Sequence, residues 1–282
     1  MKFSPAGLSR RLILGFAAAG AMASNGLSQT PSPRSGGDTL RRFIKMRGSL
    51  DDRLAIGFLS GRYDGFVDGV RTPLFGLFSA TFSRYRPTAE GYQVVGFEQA
   101  YFTDLSTQEV LRQFKNPYTG EVVDVPVTSS PPSALSIGPD LRLHGADKLP
   151  ANVKLEMFAS APEIIGDEIF FVEQIYATRE PMGASPRFSY TENTTLRSKL
   201  ADVDRPGAAT APCQTSFDAV VSWRPWLKMG DRPGCMTAFG HGSYGVSLKD
   251  LPRPWIDATA KIRPELLSHP EAIMEPLWSK IG

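Results

Sequence analysis

His241 stands between Gly240 and Gly242 at the end of a strand-like run, with Tyr244 three residues on. Small neighbours leave an imidazole sterically open, and its ordinary titration near neutrality suits a general base. Glu98, Asp104, Glu168, Glu173 and Glu192 fall on segments of strand periodicity or at their ends. A carboxyl turned into an apolar pocket has its pKa raised and becomes an acid–base group. His241 with Asp104 or Glu98 is therefore the candidate catalytic set. The plain alternative for His241 is a solvent-exposed turn histidine; for the acids it is pairing with Arg62, Arg84, Arg179 or Arg197. Asp104 is, in addition, a good turn starter.

Trp223, Trp226 and Met229 form the densest aromatic and polarizable cluster, and with Tyr101 and Tyr244 they are the candidate ligand-binding residues. Flat and soft side chains make a good wall for an apolar ligand. The same Trp and Met residues would serve equally to plug the end of a barrel.

Other chemistries lack their signatures. His144, His241 and His269 are widely separated, and two cysteines cannot build a four-thiolate zinc site, so no metal is predicted. No phosphate-binding loop, dinucleotide fingerprint or G-x-S-x-G elbow occurs, and no cofactor is predicted. Cys213 and Cys235 leave two readings open, a disulfide or two free thiols. A bridge would close a loop of about 23 residues and stabilise by about 3 kcal/mol in the chain-entropy model.

These residues need a location and a frame. Ser9, Arg10, Arg11 and Leu12 open an uncharged run that ends at Ala21, Met22 and Ala23. Paired arginines before a short apolar segment and an A-x-A site predict a twin-arginine signal over 1–23, with the export machinery as a partner and a periplasmic or secreted location. The apolar run is shorter than the ~20 residues a membrane span needs, so no permanent anchor is expected. Residues 24–37, rich in Ser, Gly and Pro, read as a flexible linker, and 38–282 as one β-rich domain. Losing 1–23 removes Lys2, Arg10 and Arg11 and no acid, taking the formal charge from +2 to −1. A near-neutral chain without a basic block argues against nucleic acid as a partner.

Within the domain, Leu40, Phe43 and Ile44 behind Asp38 predict a short first helix. The period then changes to two. Strands are expected at Leu54–Gly61, Pro73–Tyr85, Tyr92–Phe102, Val153–Ala159, Glu168–Tyr176, Phe188–Leu196, Thr215–Trp223 and Cys235–Tyr244, with a long loop over Ser129–Pro150. On Pro73–Tyr85, Leu74, Phe78, Ala80 and Phe82 share one face and Ser79, Thr81 and Ser83 the other, the pattern of a half-buried strand. Asp104–Val110 is echoed twelve residues later by Asn116–Val122, and both segments carry hairpin-turn chemistry. So many strands must curl to hide their edges, which predicts a mainly β fold, an antiparallel lipocalin-like barrel or strongly curled sheet. The proline-punctuated tail from Pro252 reads as short helices that cap or wrap it.

Three phrases carry a resemblance. Tyr101–Leu105 (YFTDL), Asn116–Glu121 (NPYTGE) and Trp223–Gly230 (WRPWLKMG), the last followed by Phe239–Gly242, resemble the bacterial family called domain of unknown function 1838. The resemblance spans roughly Asp38 to Trp255 and implies kinship without an activity. On these grounds the expected function is binding, with or without transformation, of a small apolar or aromatic molecule in the periplasm. The alternatives are a cofactor-independent lyase, isomerase or hydrolase using His241 with a pocket carboxylate, and a non-catalytic interaction module of the envelope.

Overall fold

The computed structural model describes residues 36–145, 149–181 and 187–281; the signal over 1–23 and most of the linker lie outside them. A first helix, α1 (Gly36–Arg47), begins two residues before Asp38, which sits in its first turn. Alternating apolar segments then form β1 (Ala55–Val67), β2 (Val70–Thr88) and β3 (Gly91–Thr103). After two small turns come β4 (Gln113–Lys115), β5 (Val122–Asp124), β6 (Thr128–Ser129), β7 (Ser133–Ile137) and β8 (Leu143–Gly145). The second half carries β9 (Val153–Ala159), β10 (Glu163–Ile165), β11 (Glu168–Arg179) and β12 (Phe188–Lys199), then a one-turn helix α2 (Leu200–Val203), β13 (Cys213–Val221) and β14 (Cys235–Val246). Three helices, α3 (Arg253–Ile262), α4 (Glu265–Ser268) and α5 (Pro270–Trp278), end the chain.

All strands but β4 and β5 join one 12-stranded sheet, ordered β10-β11-β12-β13-β14-β1-β2-β3-β7-β8, with β6 also on β3 and β9 also on β11. Its pairings are antiparallel, and β14 returns to β1 along eleven residue pairs. The two ends of the sheet meet at one antiparallel bridge, Arg142 to Phe158, supported by the Ala159 amide donating to Leu141 O at 2.9 Å. The result is the mainly β, nearly closed antiparallel barrel that the periodicity predicts.

The segment read as a long loop, 129–150, holds β7 and β8, which carry the sheet from β3 to this seam. They are short and framed by Pro131, Pro132, Pro139 and Asp140, so they lack the length on which a period can be read.

Both faces of β1–β3 are buried. Phe78, Ala80, Phe82, Val95, Phe97 and Tyr101 point outward and pack under Trp255, Leu266, Met274 and Trp278 of the C-terminal helices. The Trp255 indole N–H donates to Gln99 O at 3.1 Å, and the Tyr101 and Thr259 hydroxyls lie 3.0 Å apart. Ser79, Thr81 and Ser83 therefore face the barrel interior, and β2 is not half-buried: its polar face is the inner one. Leu74 parts from its expected companions because the β1–β2 register shifts between Tyr63 and Asp64, and it joins the inner cluster.

The sequence echo is a structural one. Asp104 O accepts from Gln108 N at 3.0 Å and Asn116 O from Gly120 N at 2.8 Å, while the Oδ1 atoms accept from Ser106 N at 2.8 Å and Tyr118 N at 2.9 Å. Gln108 and Gly120 occupy the same left-handed position, at φ 61° and 74°.

Candidate functional site

The barrel is stoppered at both ends. At one end α1 lays Leu40, Phe43 and Ile44 against the inner cluster, with the Phe43 ring edge-on to Phe171 at 5.4 Å. Arg47, one turn beyond Phe43 on the same helix face, continues this stripe into the interior. Its Nε donates to Glu173 Oε2 at 2.8 Å, and its guanidinium lies 4.4 Å from the centre of the Tyr244 ring. Burial acts to lower the Arg47 pKa, but Glu173, with Tyr244 and Tyr85, reverses this and raises it well above the ordinary value. Arg47 is thus a permanent, mostly buried cation. Burial also raises the Tyr244 phenol far above its usual range.

At the opposite end the Trp223–Gly230 segment folds inward around a 3-10 turn, Pro225–Leu227. The Trp226 ring stands 5.3 Å from Phe75, 5.5 Å from Phe102 and 6.4 Å from Phe114. Asn116, buried at 1% exposure, donates from Nδ2 to Leu227 O at 2.8 Å and to the Met229 sulfur at 3.2 Å. Tyr118 packs edge-on against Trp223 at 5.4 Å. The NPYTGE turn is in this way the clamp of the WRPWLKMG loop, and Trp223, Trp226 and Met229 form the plug.

Between the stoppers lies a belt of polar side chains. Glu98 from β3, Glu173 from β11, Glu192 and Thr194 from β12, Ser79 and Thr81 from β2, and Arg47 line a chamber of about 70 Å³, closed off by Tyr190, Phe217 and Tyr244. The Ser79 hydroxyl donates to Glu98, and Glu192 accepts from Tyr190 OH and from Thr194 Oγ1, the latter at 3.1 Å. A second chamber of about 100 Å³ shares Arg47, Thr81, Glu98 and Glu173 and is otherwise largely apolar, with Phe43, Leu135, Leu143 and Met157 in its wall. Gly57 and Gly61 keep the interior open to rings: a Cβ at Gly57 would lie 2.2 Å from the Tyr244 ring and one at Gly61 2.7 Å from Phe217. Among the described residues no three His, Cys, Asp or Glu gather to hold a metal ion.

The residues singled out by type are brought together only in part. Glu98 and Tyr244 face the chamber, as do Glu173 and Glu192. His241 does not: Gly240, Gly242 and Tyr244 are the inward positions of β14, and His241 is exposed on the outer face. Asp104 lies in its exposed turn, held down at about 2 by the Ser106 hydroxyl and the Thr107 and Ser106 amides. Tyr101 is outside, under α3. Glu168 pairs on the outer face with Arg197, at 2.7 and 2.9 Å. Arg47 and the chamber hydroxyls were not candidates; the signal for Arg47 was its place on the stripe of Leu40, Phe43 and Ile44.

Cys213 and Cys235 are both free, which settles the alternative left open. Cys213 pairs with Tyr244, nine residues from Cys235 along β14, about 30 Å at the rise of a strand, whereas a bridge needs Cα atoms within about 7 Å. Cys213 is buried, and desolvation pushes its thiol up to about 12. In the folded protein a thiol reagent should modify Cys235 before Cys213, both should react after denaturation without reductant, and dithiothreitol should leave the melting temperature unchanged. Loss of both free thiols in non-reduced, denatured protein would contradict the assignment.

Fold and site together define a class: an antiparallel barrel, stoppered at both ends, with a charged belt at its centre. The chain matches the model of the family described as "Protein of unknown function (DUF1838)" over residues 61–277, and it belongs to that family. No curated protein and no solved structure matches it. The matched region contains the plug, its clamp and the three belt glutamates; α1 and Arg47 precede it.

Proposed function

We propose that the barrel interior binds one small molecule with an apolar or aromatic body, and that the protein does so in the periplasm or outside the cell after twin-arginine export. The observation that carries this reading is the charged belt. Taking charges out of water is costly, and well-packed apolar residues would stabilise a barrel core as well or better. Ionisable groups gathered in a cavity are a functional-site signature. The chambers, about 70 and 100 Å³, share Arg47, Glu98 and Glu173 in their walls; either alone is smaller than the cavity of about 150 Å³ that admits one benzene ring, so only an occupant spanning both would be ring-sized.

One observation favours a second reading, the cofactor-independent lyase, isomerase or hydrolase. Glu98 and Glu192 sit beside hydroxyls in a partly apolar chamber, an arrangement suited to proton transfer. In that reading the acid–base groups are these glutamates and not His241. The chambers weigh against a purely structural envelope module, which needs only a solid core.

Native and denaturing mass spectrometry of the protein from the periplasmic fraction of its host tests the main reading. The expected spectrum shows a chain lacking residues 1–23 that carries a non-covalent organic mass lost on denaturation. Full-length chain confined to the cytoplasm would overturn export. A bare chain that also binds nothing in calorimetric screens of ring-sized compounds would overturn binding.

A further inference from the structure

We propose that small molecules reach the barrel interior through the seam between β8 and β9, with Arg142 and Phe158 as an outer latch and Leu143 and Met157 as an inner door. The inference rests on the reading of the interior as a binding site. The two ends of the barrel offer no ready way in. At one, Leu40, Phe43 and Ile44 of α1 are all buried; at the other, Trp226 stands among Phe75, Phe102 and Phe114. The side wall is held by long ladders, with eleven residue pairs between β14 and β1 and seven between β9 and β11. Where β8 meets β9 there is no such ladder. Among the described residues this joint carries the Arg142–Phe158 bridge and the Ala159 amide on Leu141 O at 2.9 Å, while β8 pairs along its length with β7 and β9 with β11. A closed sheet opens first where fewest bonds hold it.

The position of this gap gives it a use. Counted antiparallel from the bridge, Leu143 comes opposite Met157. Both side chains stand in the wall of the chamber of about 100 Å³, as do Leu135 and Ile137 of the adjoining β7, so the unladdered stretch is backed directly by that chamber. The residues it shares with the polar chamber, Arg47, Thr81, Glu98 and Glu173, lead on to the belt. Met157 is a long, unbranched side chain that can swing aside without disturbing its strand. On the outer face the Arg142 guanidinium lies 5.4 Å from the centre of the Phe158 ring, a contact that holds weakly when exposed. Leu141, next to the bridge, is an independent observation. It is buried yet held at φ 59°, a left-handed conformation that suits a bulky side chain poorly, and such strain collects at segments that move.

The test is to lock the seam. Partners across an antiparallel bridge lie about 5 Å apart, within the reach of a disulfide. Arg142→Cys with Phe158→Cys, in a chain that also carries Cys235→Ser, is closed with a mild oxidant and reopened with dithiothreitol. Fluorine NMR of para-fluorobenzyl alcohol then gives the exchange rates and the affinity of both forms. Locking should slow association and dissociation by at least about tenfold and leave Kd within about twofold, because the route is blocked and the site is not. Equal rates in the two forms would overturn the seam as the route and leave the interior site in place. Absence of binding by the unmodified protein and by both forms would overturn the interior site and the route with it. Amide exchange of the unmodified protein decides the matter even where the double variant fails to fold. Ala159 should exchange at least about tenfold faster than the amides of the β14–β1 ladder, and equal protection would overturn the proposal.

Discussion

Replacing Arg47 by methionine should lower the stability of the folded protein by about 3–5 kcal/mol, the largest effect of any single polar substitution in the barrel. The side chain is mostly buried, and its partner Glu173 is more so, at 19% and 6% exposure. Removing one member of such a pair strands the other charge in a low-dielectric interior, and that penalty, more than the lost attraction, sets the cost. The double variant Arg47→Met with Glu173→Gln should recover most of the loss, since no charge is then left unbalanced. Urea denaturation of the two single variants and the double variant measures the coupling. Additive losses would mean that the pair does not act as a unit. Because Arg47 ends α1, the single variant should also loosen that stopper, seen as faster exchange of the α1 amides.

The second large effect is expected at Asn116. Asn116→Ala removes the donor to Leu227 O and Met229, both buried, and the acceptor of the part-buried Tyr118 amide. These lost bonds, with their partners left desolvated, cost about 2–4 kcal/mol. The aromatic plug they clamp should loosen, with a red shift of tryptophan emission. Aspartate at this position keeps the acceptor but turns a carboxylate oxygen toward the Leu227 carbonyl, so Asn116→Asp should cost at least as much as the alanine change. At the echo, Asp104 makes only exposed turn bonds, and Asp104→Asn should be nearly neutral. Equal costs for the two exchanges would contradict the assignment of Asn116 as a tertiary clamp and Asp104 as a local turn residue.

These two positions mark how far the sequence could be read. Turn chemistry is local, so the shared geometry at Asp104 and Asn116 was legible from their residue types. The clamp was not, because it joins residues 111 positions apart. Strand existence was legible for the same reason, and Val153–Ala159 was read to the residue. Which face of a strand points inward was harder. On β2 both faces are buried, one by the barrel and one by the C-terminal helices, and the more apolar face turned out to be the outer. Period-two patterning separates two faces without saying which of them a barrel encloses.

The same ambiguity governed the candidate site. His241 and Tyr244 lie three residues apart and so on opposite faces of β14. Glu98, Glu173 and Glu192 were visible as strand carboxylates, but their convergence depends on the register of β2 with β3 and of β11 with β12. Arg47 is not among the candidates read from residue types, because its entry into the barrel depends on where α1 docks.

The central claim is that the belt exists to hold a ligand, and its most direct test is a high-resolution crystal structure of the protein recovered from its own host. The account predicts density for a ring-sized molecule between Glu98, Glu192 and the Arg47–Glu173 pair. Chambers collapsed or filled by ordered water alone, unchanged after soaking with ring-sized compounds, would contradict it and return the belt to a structural role.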